Sequence, residues 1–245
     1  MTQQTRAFEG RTAVVTGAGT GVGAALALAL GGAGATVHLI GRRPDRLQSV
    51  ADRIHSAGGL AVCHPGDLST IDGQVTLAHH LARELPGLDV LVQNAATYSS
   101  GSIADAEVLE FDKLYQTNIR APYLLVRTLL PMLQPRHGQV VFINSSSGIT
   151  AKPSTSQYDA TKHALKAIAD SLRGEVNPLG IRVLSVYLGR TATEMQERIH
   201  RSEGKPYRPE LLLQPGDVAS VVMNALSLPA TAEVTDIHIR PMAKT

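Results

Sequence analysis

Short runs of β-branched and apolar residues alternate along this chain with longer segments of helical periodicity, and this alternation restricts the fold more than any other feature. It is typical of βαβ units, in which helices join parallel strands and cover both faces of one sheet. The predicted strands are Thr12 to Thr16, Thr36 to Ile40, Leu60 to His64, Val90 to Gln93, Val140 to Asn144, Arg182 to Tyr187 and Val234 to Ile239. The predicted helices are Val22 to Gly31, Pro44 to Ala57, Thr70 to Leu85, Ile103 to Leu133 with a break near Pro122, Ser156 to Asn177, and Pro215 to Leu226. We therefore expect a doubly wound α/β fold with a seven-stranded parallel sheet and helices on both faces.

The length of 245 residues suits one large α/β domain, and we assign residues 1–245 to a single domain. No apolar run approaches the ~20 residues that a membrane-spanning helix needs. The residues from Met1 to Gly10 are polar and lack the apolar core of a secretory signal. Cys63 is the only cysteine, which excludes an internal disulfide and a thiolate metal cluster. We therefore expect a cytoplasmic protein without a membrane partner.

The charge pattern argues against nucleic-acid and metal binding. The net charge is only +2, no basic cluster is interleaved with aromatic residues, and the chain has no Trp and three Phe. His79 and His80 are neighbours in a predicted helix, but no third ligand stands at metal spacing. We predict no metal and no nucleic-acid partner.

A glycine-rich turn, TGAGTGVG from Thr16 to Gly23, follows the first predicted strand and leads directly into a helix rich in Ala and Leu. Glycines let the backbone approach a pyrophosphate, while the unpaired N–H groups and the dipole of the helix N-terminus favour its negative charge. No Lys followed by Ser or Thr closes the run, which disfavours a phosphate-loop NTPase. The turn predicts a dinucleotide site, and a purely structural turn is the alternative.

The residues after the second predicted strand favour NADP over NAD. An NAD site usually places Asp or Glu there to hold the ribose hydroxyls, but the run is Gly41-Arg42-Arg43-Pro44. A guanidinium can bind the extra 2′-phosphate of NADP in bidentate fashion. The alternative is a pair of solvated arginines before a helix, with Asp45 as a less well placed acid.

Asp67 follows the third predicted strand in the run Gly66-Asp67-Leu68. Its carboxylate either meets an adenine amino group or caps the helix that begins near Thr70. These residues alone do not separate the two interpretations.

Tyr158 and Lys162 lie four positions apart in a predicted helix, so both side chains project from one face. A phenol normally keeps its proton until pH ~10, and a fixed cation nearby lowers that pKa toward a value useful for acid/base chemistry. The alternative is a Tyr that covers the core beside a Lys on a solvated helix face. The glycine turn and Ser145, which stands just after a predicted strand, favour the proton-transfer pair.

These motifs together resemble the short-chain dehydrogenase/reductase family, and the resemblance covers residues 10 to 240. The family's motifs stand here as TGXXXGXG at Thr16, Gly17, Gly21 and Gly23, YXXXK at Tyr158 to Lys162, the active serine at Ser145 with Gly148 after it, and the helix asparagine at Asn118. The resemblance implies a Rossmann-type fold, an NAD(P)-dependent oxidoreductase, and a homodimer or homotetramer.

The resemblance also implies roles for single residues. The catalytic set is Asn118, Ser145, Tyr158 and Lys162, in which Tyr158 exchanges the proton, Ser145 aligns the substrate oxygen, Lys162 stabilises tyrosinate and Asn118 carries a water relay. The predicted cofactor-binding residues include the two arginines already discussed and are Gly17, Thr20, Gly21, Val22, Gly23, Arg42, Arg43, Asp67, Leu68, Asn94, Ala95, Tyr158, Lys162, Gly189, Thr191 and Thr193.

Two departures from the family pattern concern the cofactor and a lid. The family's NNAG motif is Gln93-Asn94-Ala95-Ala96 here, and the methyl group of Ala96 stands where backbone normally passes close to the cofactor ribose. The usual Pro-Gly after the sixth strand is Leu188-Gly189, which removes a torsional constraint. We expect an altered cofactor fit and assign the lid to residues 190–214.

The expected mouth of the pocket mixes apolar side chains with one guanidinium: Tyr98, Ile149, Leu188, Arg190 and Met195. Arg190 either binds an anionic group of the substrate or forms a salt bridge with Glu194, four residues on. Ser147 either contacts the substrate or only satisfies backbone groups of its loop. The substrate therefore stays unidentified.

The sequence predicts an NADP-preferring oxidoreductase that interconverts a small-molecule carbonyl and a secondary alcohol by hydride transfer, with Tyr158 as general acid/base. The direction of the reaction is left open. The alternative function is a non-catalytic NADP(H)-sensing protein on the same fold, because a fold alone does not determine function. Ser145, Tyr158 and Lys162 argue against this alternative.

Overall fold

The computed structural model describes residues 7–243, and its centre is a seven-stranded parallel sheet in the order β3-β2-β1-β4-β5-β6-β7. The strands are β1 (Thr12–Thr16), β2 (Thr36–Gly41), β3 (Leu60–Pro65), β4 (Val90–Gln93), β5 (Gln139–Ser145), β6 (Arg182–Leu188) and β7 (Asp236–Ile239). The strand order reverses between β1 and β4, which opens a crevice at the carboxyl ends of these strands. The predicted doubly wound, Rossmann-type sheet is confirmed.

Eight α-helices in the described part of the chain cover the two faces of the sheet: α1 (Gly21–Gly32), α2 (Pro44–Ser56), α3 (Ile71–Glu84), α4 (Val108–Tyr115), α5 (Ala121–Leu133), α6 (Ser156–Val176), α7 (Glu194–Ser202) and α8 (Pro215–Leu226). Residues of α1, α2 and α8 form one apolar core, and residues of α3, α5 and α6 form the other. Along β1, Val15 points into the first core and Val14 into the second. Because both of their faces are buried, the central strands β1 and β4 are nearly continuous apolar runs, unlike the partly exposed edge strands β3 and β7.

A tight turn connects the end of α6 to β6. The helix ends at Val176, and one 3-10 turn over Asn177–Leu179 follows it. Gly180 then takes a left-handed φ of +77°, and an added Cβ would overlap the His137 ring. This turn directs the chain straight into β6 and so holds α6 against the sheet.

The predicted helix from Ile103 to Leu133 differs in its start and in the place of its irregularity. The helix begins at Val108, and a π-helical turn over Gln116–Arg120 separates α4 from α5. Pro122 lies in the first turn of α5 and does not break the helix. Proline has no backbone N–H to donate to the preceding turn. The π-helical turn before Pro122 already interrupts the regular helical hydrogen bonds there, so the proline costs no regular bond.

The segment 190–214 contains a regular helix that the sequence did not predict. Helix α7 runs from Glu194 to Ser202, and a short 3-10 turn follows at Pro209–Leu211. Among the helices of residues 7–243, none combines the length and apolar character needed to cross a membrane. The single-domain assignment and the lid stay predictions.

Candidate active site

A cleft of about 950 Å³ opens at the carboxyl ends of the central strands. Gly23 and Asn118 lie behind its wall. The other predicted site residues line it: Gly17, Thr20, Gly21, Val22, Arg42, Arg43, Asp67, Leu68, Asn94, Ala95, Ser145, Tyr158, Lys162, Gly189, Thr191 and Thr193.

The glycine turn is tightly constrained at the end of β1. Gly17 and Gly21 have φ values of +64° and +56°, which other residues rarely adopt. A Cβ on Gly23 would overlap the Gly17 carbonyl oxygen and lie 2.5 Å from Nδ2 of Asn94. Gly23 therefore lets α1 pack directly against the turn without itself lining the cleft.

The N-terminus of α1 leaves backbone donors available to an anion. Thr20 is the N-cap residue, yet its side chain makes no capping bond, and the first turn of the helix carries no acidic residue. The unpaired N–H groups and the positive end of the helix dipole therefore face the cleft without a counter-charge from the helix itself. Such a terminus can hold a pyrophosphate.

Asn94 joins the turn to the end of β4. Its Nδ2 donates hydrogen bonds to the carbonyl oxygens of Thr16 at 3.0 Å and Gly17 at 3.2 Å. In the other direction, Oγ1 of Thr16 accepts bonds from the backbone N–H groups of Asn94 and Ala95, both at 2.9 Å. These four bonds hold the two strand ends on either side of the crevice.

Asp67 lines the cleft and does not cap α3. Its Oδ1 accepts bonds from the N–H of Ser69 at 2.8 Å and the hydroxyl of Ser69 at 2.7 Å, whereas Thr70 caps the helix by accepting from the N–H of Gly73. Burial opposes ionisation, but the Ser69 bonds and the Arg42 guanidinium outweigh it and lower the pKa of Asp67. The capping interpretation is therefore wrong, and Ser69 is a lining residue that the sequence did not predict.

Arg43 and Arg46 converge on one carboxylate of helix α7. Nη2 of Arg43 lies 3.0 Å from Oε2 of Glu194, and Nη2 of Arg46 lies 3.6 Å from Oε1. Arg46 was not predicted as a site residue from the sequence. It lies in the first turn of α2, three residues after Arg43, and this position could have identified it.

The expected salt bridge between Arg190 and Glu194 is wrong. Arg190 instead donates to both carboxylate oxygens of Glu203, at 3.0 and 2.8 Å, and lies 3.2 Å from Nε2 of His200. Spacing by four residues brings side chains together only within a helix, and α7 begins after Arg190.

Helix α6 places Tyr158 and Lys162 on its buried face. Tyr158 is 9% exposed and Lys162 only 2% exposed, so the interpretation of Lys162 as a solvated surface residue is wrong. Nζ of Lys162 donates to the carbonyl oxygen of Ile143 at 3.3 Å and lies 5.7 Å from the centre of the Tyr158 ring. The edge of the Tyr98 ring packs on the other side of Tyr158, with the ring centres 4.9 Å apart.

Burial, and not the neighbouring cation, dominates the protonation of this pair. Burial raises the pKa of Tyr158 above its usual value; the Ser145 hydroxyl opposes this rise, and Tyr98 and Asp159 add to it. Burial also lowers the pKa of Lys162 to about 8. The expected lowering of the Tyr158 pKa is therefore wrong, because burial has the largest influence on this phenol and raises its pKa.

Ser145 is held at the end of β5 by a network that reaches α6. Its Oγ accepts a bond from the N–H of Ser147 at 3.1 Å. Oδ1 of Asn144 accepts from the N–H of Ser145 at 2.8 Å, while Nδ2 of Asn144 donates to the carbonyl oxygen of Lys162 at 3.1 Å. A Cβ on Gly148 would lie 2.8 Å from two of these acceptors, so only glycine lets this loop pack so closely on α6.

Asn118 stands in the π-helical turn and connects two walls of the site from behind. Its Oδ1 accepts from the N–H of Thr97 at 2.9 Å, and its Nδ2 donates to the carbonyl oxygen of Thr97 at 3.0 Å and to Oγ1 of Thr161 at 3.1 Å. Its amide thus bonds the loop after β4 and helix α6. Such π-turns occur frequently at functional sites.

Most of the predicted pocket mouth is in place. Tyr98, Leu188, Arg190 and Met195 line the cleft together with Ser146, Ser147 and Ala96, whereas Ile149 does not. Thr193 caps α7 by accepting from the N–H of Gln196 at 3.2 Å. Its methyl group packs against Gly21, where an added Cβ would lie 2.9 Å away. The start of α7 therefore lies directly on the glycine turn.

Comparisons with known proteins agree with this geometry. The family model for short chain dehydrogenase matches residues 11–204. An uncharacterised oxidoreductase of Staphylococcus aureus (strain MW2) is 33% identical over 233 residues, which are 95% of this chain and 97% of the relative. A metagenomic short-chain oxidoreductase solved in complex with NADP has a TM-score of 0.83 and 30% identity, and the match covers 97% of this chain and 100% of that one. A short chain dehydrogenase from Burkholderia cenocepacia J2315, also solved with NADP, has a TM-score of 0.82 and 27% identity over 95% of this chain and 97% of its own.

The family model matches most of the chain, and the Staphylococcus aureus relative is 33% identical over nearly its whole length. This is more similarity than a shared fold alone requires. The sequence motifs, the sheet order and these similarities lead to one conclusion. The chain belongs to the short-chain dehydrogenase/reductase family and is an NAD(P)-dependent oxidoreductase.

Proposed function

We propose that this protein is an NADP-preferring oxidoreductase that interconverts a carbonyl and a secondary alcohol, with Tyr158 as general acid/base. One observation carries the proposal: Ser145, Tyr158 and Lys162 line the same cleft as the glycine turn. A proton-transfer group and a dinucleotide site thus open onto one space. The substrate is a small molecule that binds in this cleft. The segment 190–214 forms a lid over the bound substrate.

The residues of the cleft fit a dinucleotide. The glycine turn lines the cleft through Gly17, Gly19, Gly21 and the first residues of α1, and without side chains its backbone can be approached closely. The free N-terminus of α1 would hold the pyrophosphate, Asp67 the adenine, and Thr193 the nicotinamide amide. When bound, the nicotinamide supplies or accepts the hydride.

The preference for NADP rests on the arginines after β2. Arg42 and Arg43 line the cleft directly after the strand whose end faces the ribose in dinucleotide folds, and no carboxylate stands at Gly41. Two relatives of known structure were solved with NADP, which supports the same preference.

The protein's own groups supply the proton chemistry. In the direction of reduction, the Tyr158 hydroxyl donates its proton to the carbonyl oxygen as negative charge develops there. Oγ of Ser145 already accepts from the N–H of Ser147, which leaves its own proton to donate to the same oxygen. The buried Lys162 ammonium stabilises the tyrosinate, and Asn118 holds the wall behind them. In the reverse direction, tyrosinate accepts the proton of the alcohol.

Replacement of Tyr158 by Phe tests the proposal. Phe keeps the ring but cannot donate a proton, so we expect turnover to fall by about 10²–10⁴-fold while NADPH binding changes little. A panel of small aldehydes and ketones, followed by NADPH absorbance, measures turnover, and NADPH fluorescence measures binding. Tyr98→Phe is the matched control, because its ring packs against Tyr158 and also lines the cleft.

Unchanged turnover in Tyr158→Phe would refute the role of this phenol. NADPH binding by the wild-type protein without turnover of any carbonyl would favour the non-catalytic sensor. Cytoplasmic location and a homodimer or homotetramer stay predictions, and size-exclusion chromatography with light scattering tests the second.

A further inference from the structure

Glu194, the first residue of α7, connects this helix to the residues that follow β2. Its two carboxylate oxygens lie 3.0 Å from Arg43 and 3.6 Å from Arg46, although 151 residues separate Arg43 from Glu194 in the chain. All three side chains line the cleft. A negative charge of the protein therefore stands inside the region that an anionic ligand would enter.

The ion pair closes a ring of contacts around the glycine turn. On one side, a Cβ on Gly19 would lie 3.1 Å from Cβ of Arg46, so the backbone of the turn packs on this arginine. On the other side, the backbone at Gly21 packs on Thr193, the N-cap residue of α7. The bridge from Arg46 to Glu194 joins these two sides, and both residues line the same cleft as the glycine turn.

The three arginines of this region differ in what they face. Arg42 makes no ion pair with any residue in 7–243, although its charge acts on Asp67. Arg43 and Arg46 both pair with Glu194. The side chains of Arg43 and Glu194 are about half exposed, at 50% and 43% respectively. A half-exposed pair is weak, so a phosphate that approaches Arg43 can displace the carboxylate.

We propose that Glu194 is a specificity-determining residue that competes with the 2′-phosphate of the cofactor for Arg43 and Arg46. The inference rests on the proposed preference for NADP. A ligand that carries the 2′-phosphate takes over both arginines and releases Glu194, and with it the start of α7. A ligand without this phosphate leaves the bridge in place. Glu194 therefore weakens the binding of NADPH and limits its advantage over NADH.

Replacement of Glu194 by Gln keeps the size of the side chain and removes its charge. We expect the Kd of NADPH to fall by about two- to five-fold, the range that loss of one exposed ion pair produces. NADH and NADPH share the pyrophosphate, so any general repulsion by Glu194 acts on both and cancels in their ratio. The ratio of Kd for NADH to Kd for NADPH should rise by the same two- to five-fold factor.

Fluorescence titration of NADPH and NADH measures both constants in the full-length protein. Glu197→Gln is the matched control, because Glu197 lies on the same helix, pairs with Arg201 at 3.5 Å and does not line the cleft. Adenosine 2′,5′-bisphosphate and adenosine 5′-monophosphate, compared by calorimetry, isolate the phosphate from the nicotinamide. In the background of Arg43→Ala, Glu194→Gln should have a smaller effect, because the main arginine for which Glu194 and the 2′-phosphate compete is gone.

A higher ratio in Glu194→Gln, an unchanged ratio in Glu197→Gln and a smaller effect without Arg43 would support the proposal. An unchanged or lower ratio in Glu194→Gln would overturn it and leave the preference for NADP intact. If the wild-type protein and Glu194→Gln both bind the two nucleotides equally, the proposed preference for NADP fails, and the role of Glu194 fails with it. Turnover is not needed for any of these outcomes.

Discussion

Replacement of Lys162 by Met should make the protein more stable while it abolishes activity. Lys162 is 2% exposed, and burial lowers the pKa of its ammonium from 10.5 to about 8. At about 1.36 kcal/mol per pKa unit, holding the charged form in the fold costs on the order of 3 kcal/mol near pH 7. Met has a similar volume and no charge, while loss of the bond from Nζ to the Ile143 carbonyl oxygen costs about 1 kcal/mol. We expect a net gain of about 2 kcal/mol in the free energy of unfolding.

This gain should depend on pH, because only the charged form of Lys162 is penalised by burial. The folded pKa lies below the unfolded value, so the penalty is fully present below pH about 8 and is relieved as pH rises from about 8 to 10.5. The variant should therefore be more stable than the wild type at pH 7, and near pH 10.5 this advantage should be lost and slightly reversed, because the bond to the Ile143 carbonyl oxygen is still missing. Urea unfolding followed by far-UV circular dichroism at both pH values measures the difference.

Lys166→Met is the control, because Lys166 lies one turn further along α6 and is only partly buried. Its Nζ pairs with Asp170 at 2.5 Å, so this substitution removes only a surface ion pair, which is worth about 0–1 kcal/mol. A Lys162→Met variant that is less stable than the wild type at pH 7 would refute the reasoning. A stability difference that stays constant between pH 7 and pH 10.5 would also refute it.

Two further substitutions test the cofactor site. Arg42→Ala should raise the Kd of NADPH by about ten-fold or more, since a hydrogen bond to a charged group is worth about 1.5–3 kcal/mol. NADH binding should stay unchanged, and fluorescence titrations measure both constants. An equal loss for both nucleotides would contradict the assignment of Arg42 to the 2′-phosphate. Gly23→Ala should lower stability in urea unfolding by about 1–3 kcal/mol and weaken both nucleotides, because its Cβ would overlap the Gly17 carbonyl oxygen. Gly174→Ala is its control on α6, where an added Cβ meets nothing within 4 Å and should stabilise the helix by about 0.5–1 kcal/mol; equal effects of the two substitutions would contradict the packing argument.

The central strands were predictable from local sequence. Both β1 and β4 have the predicted bounds, because strands buried on both faces leave an unbroken apolar run. Helix α7 was not predictable in the same way. The helix is amphipathic, but it is short and its buried residues, Gln196 and His200, are polar, so a search for apolar residues at helical spacing missed it. The helix is held by Thr193 as its cap and by polar contacts to other parts of the chain.

The ion pairs of the cleft depended on tertiary structure. Local spacing favoured Arg190 with Glu194, but the fold pairs Arg190 with Glu203 and brings Glu194 to Arg43. Residues on different strands and helices meet only after the sheet has assembled, and no periodicity in the sequence encodes which charges then face each other. The same holds for Asn118, whose partners Thr97 and Thr161 lie on two other segments.

The sequence by itself determined the family, the order of the seven strands along the chain, and the residue types that can hold a dinucleotide and move a proton. These properties follow from motifs whose residues are close together in the chain, so local spacing is enough to identify them. Only the tertiary structure decided the protonation of the pair formed by Tyr158 and Lys162. Its pKa values depend on how completely neighbouring elements exclude water from both groups, and burial raises the pKa of Tyr158 where the charge of Lys162 alone would lower it.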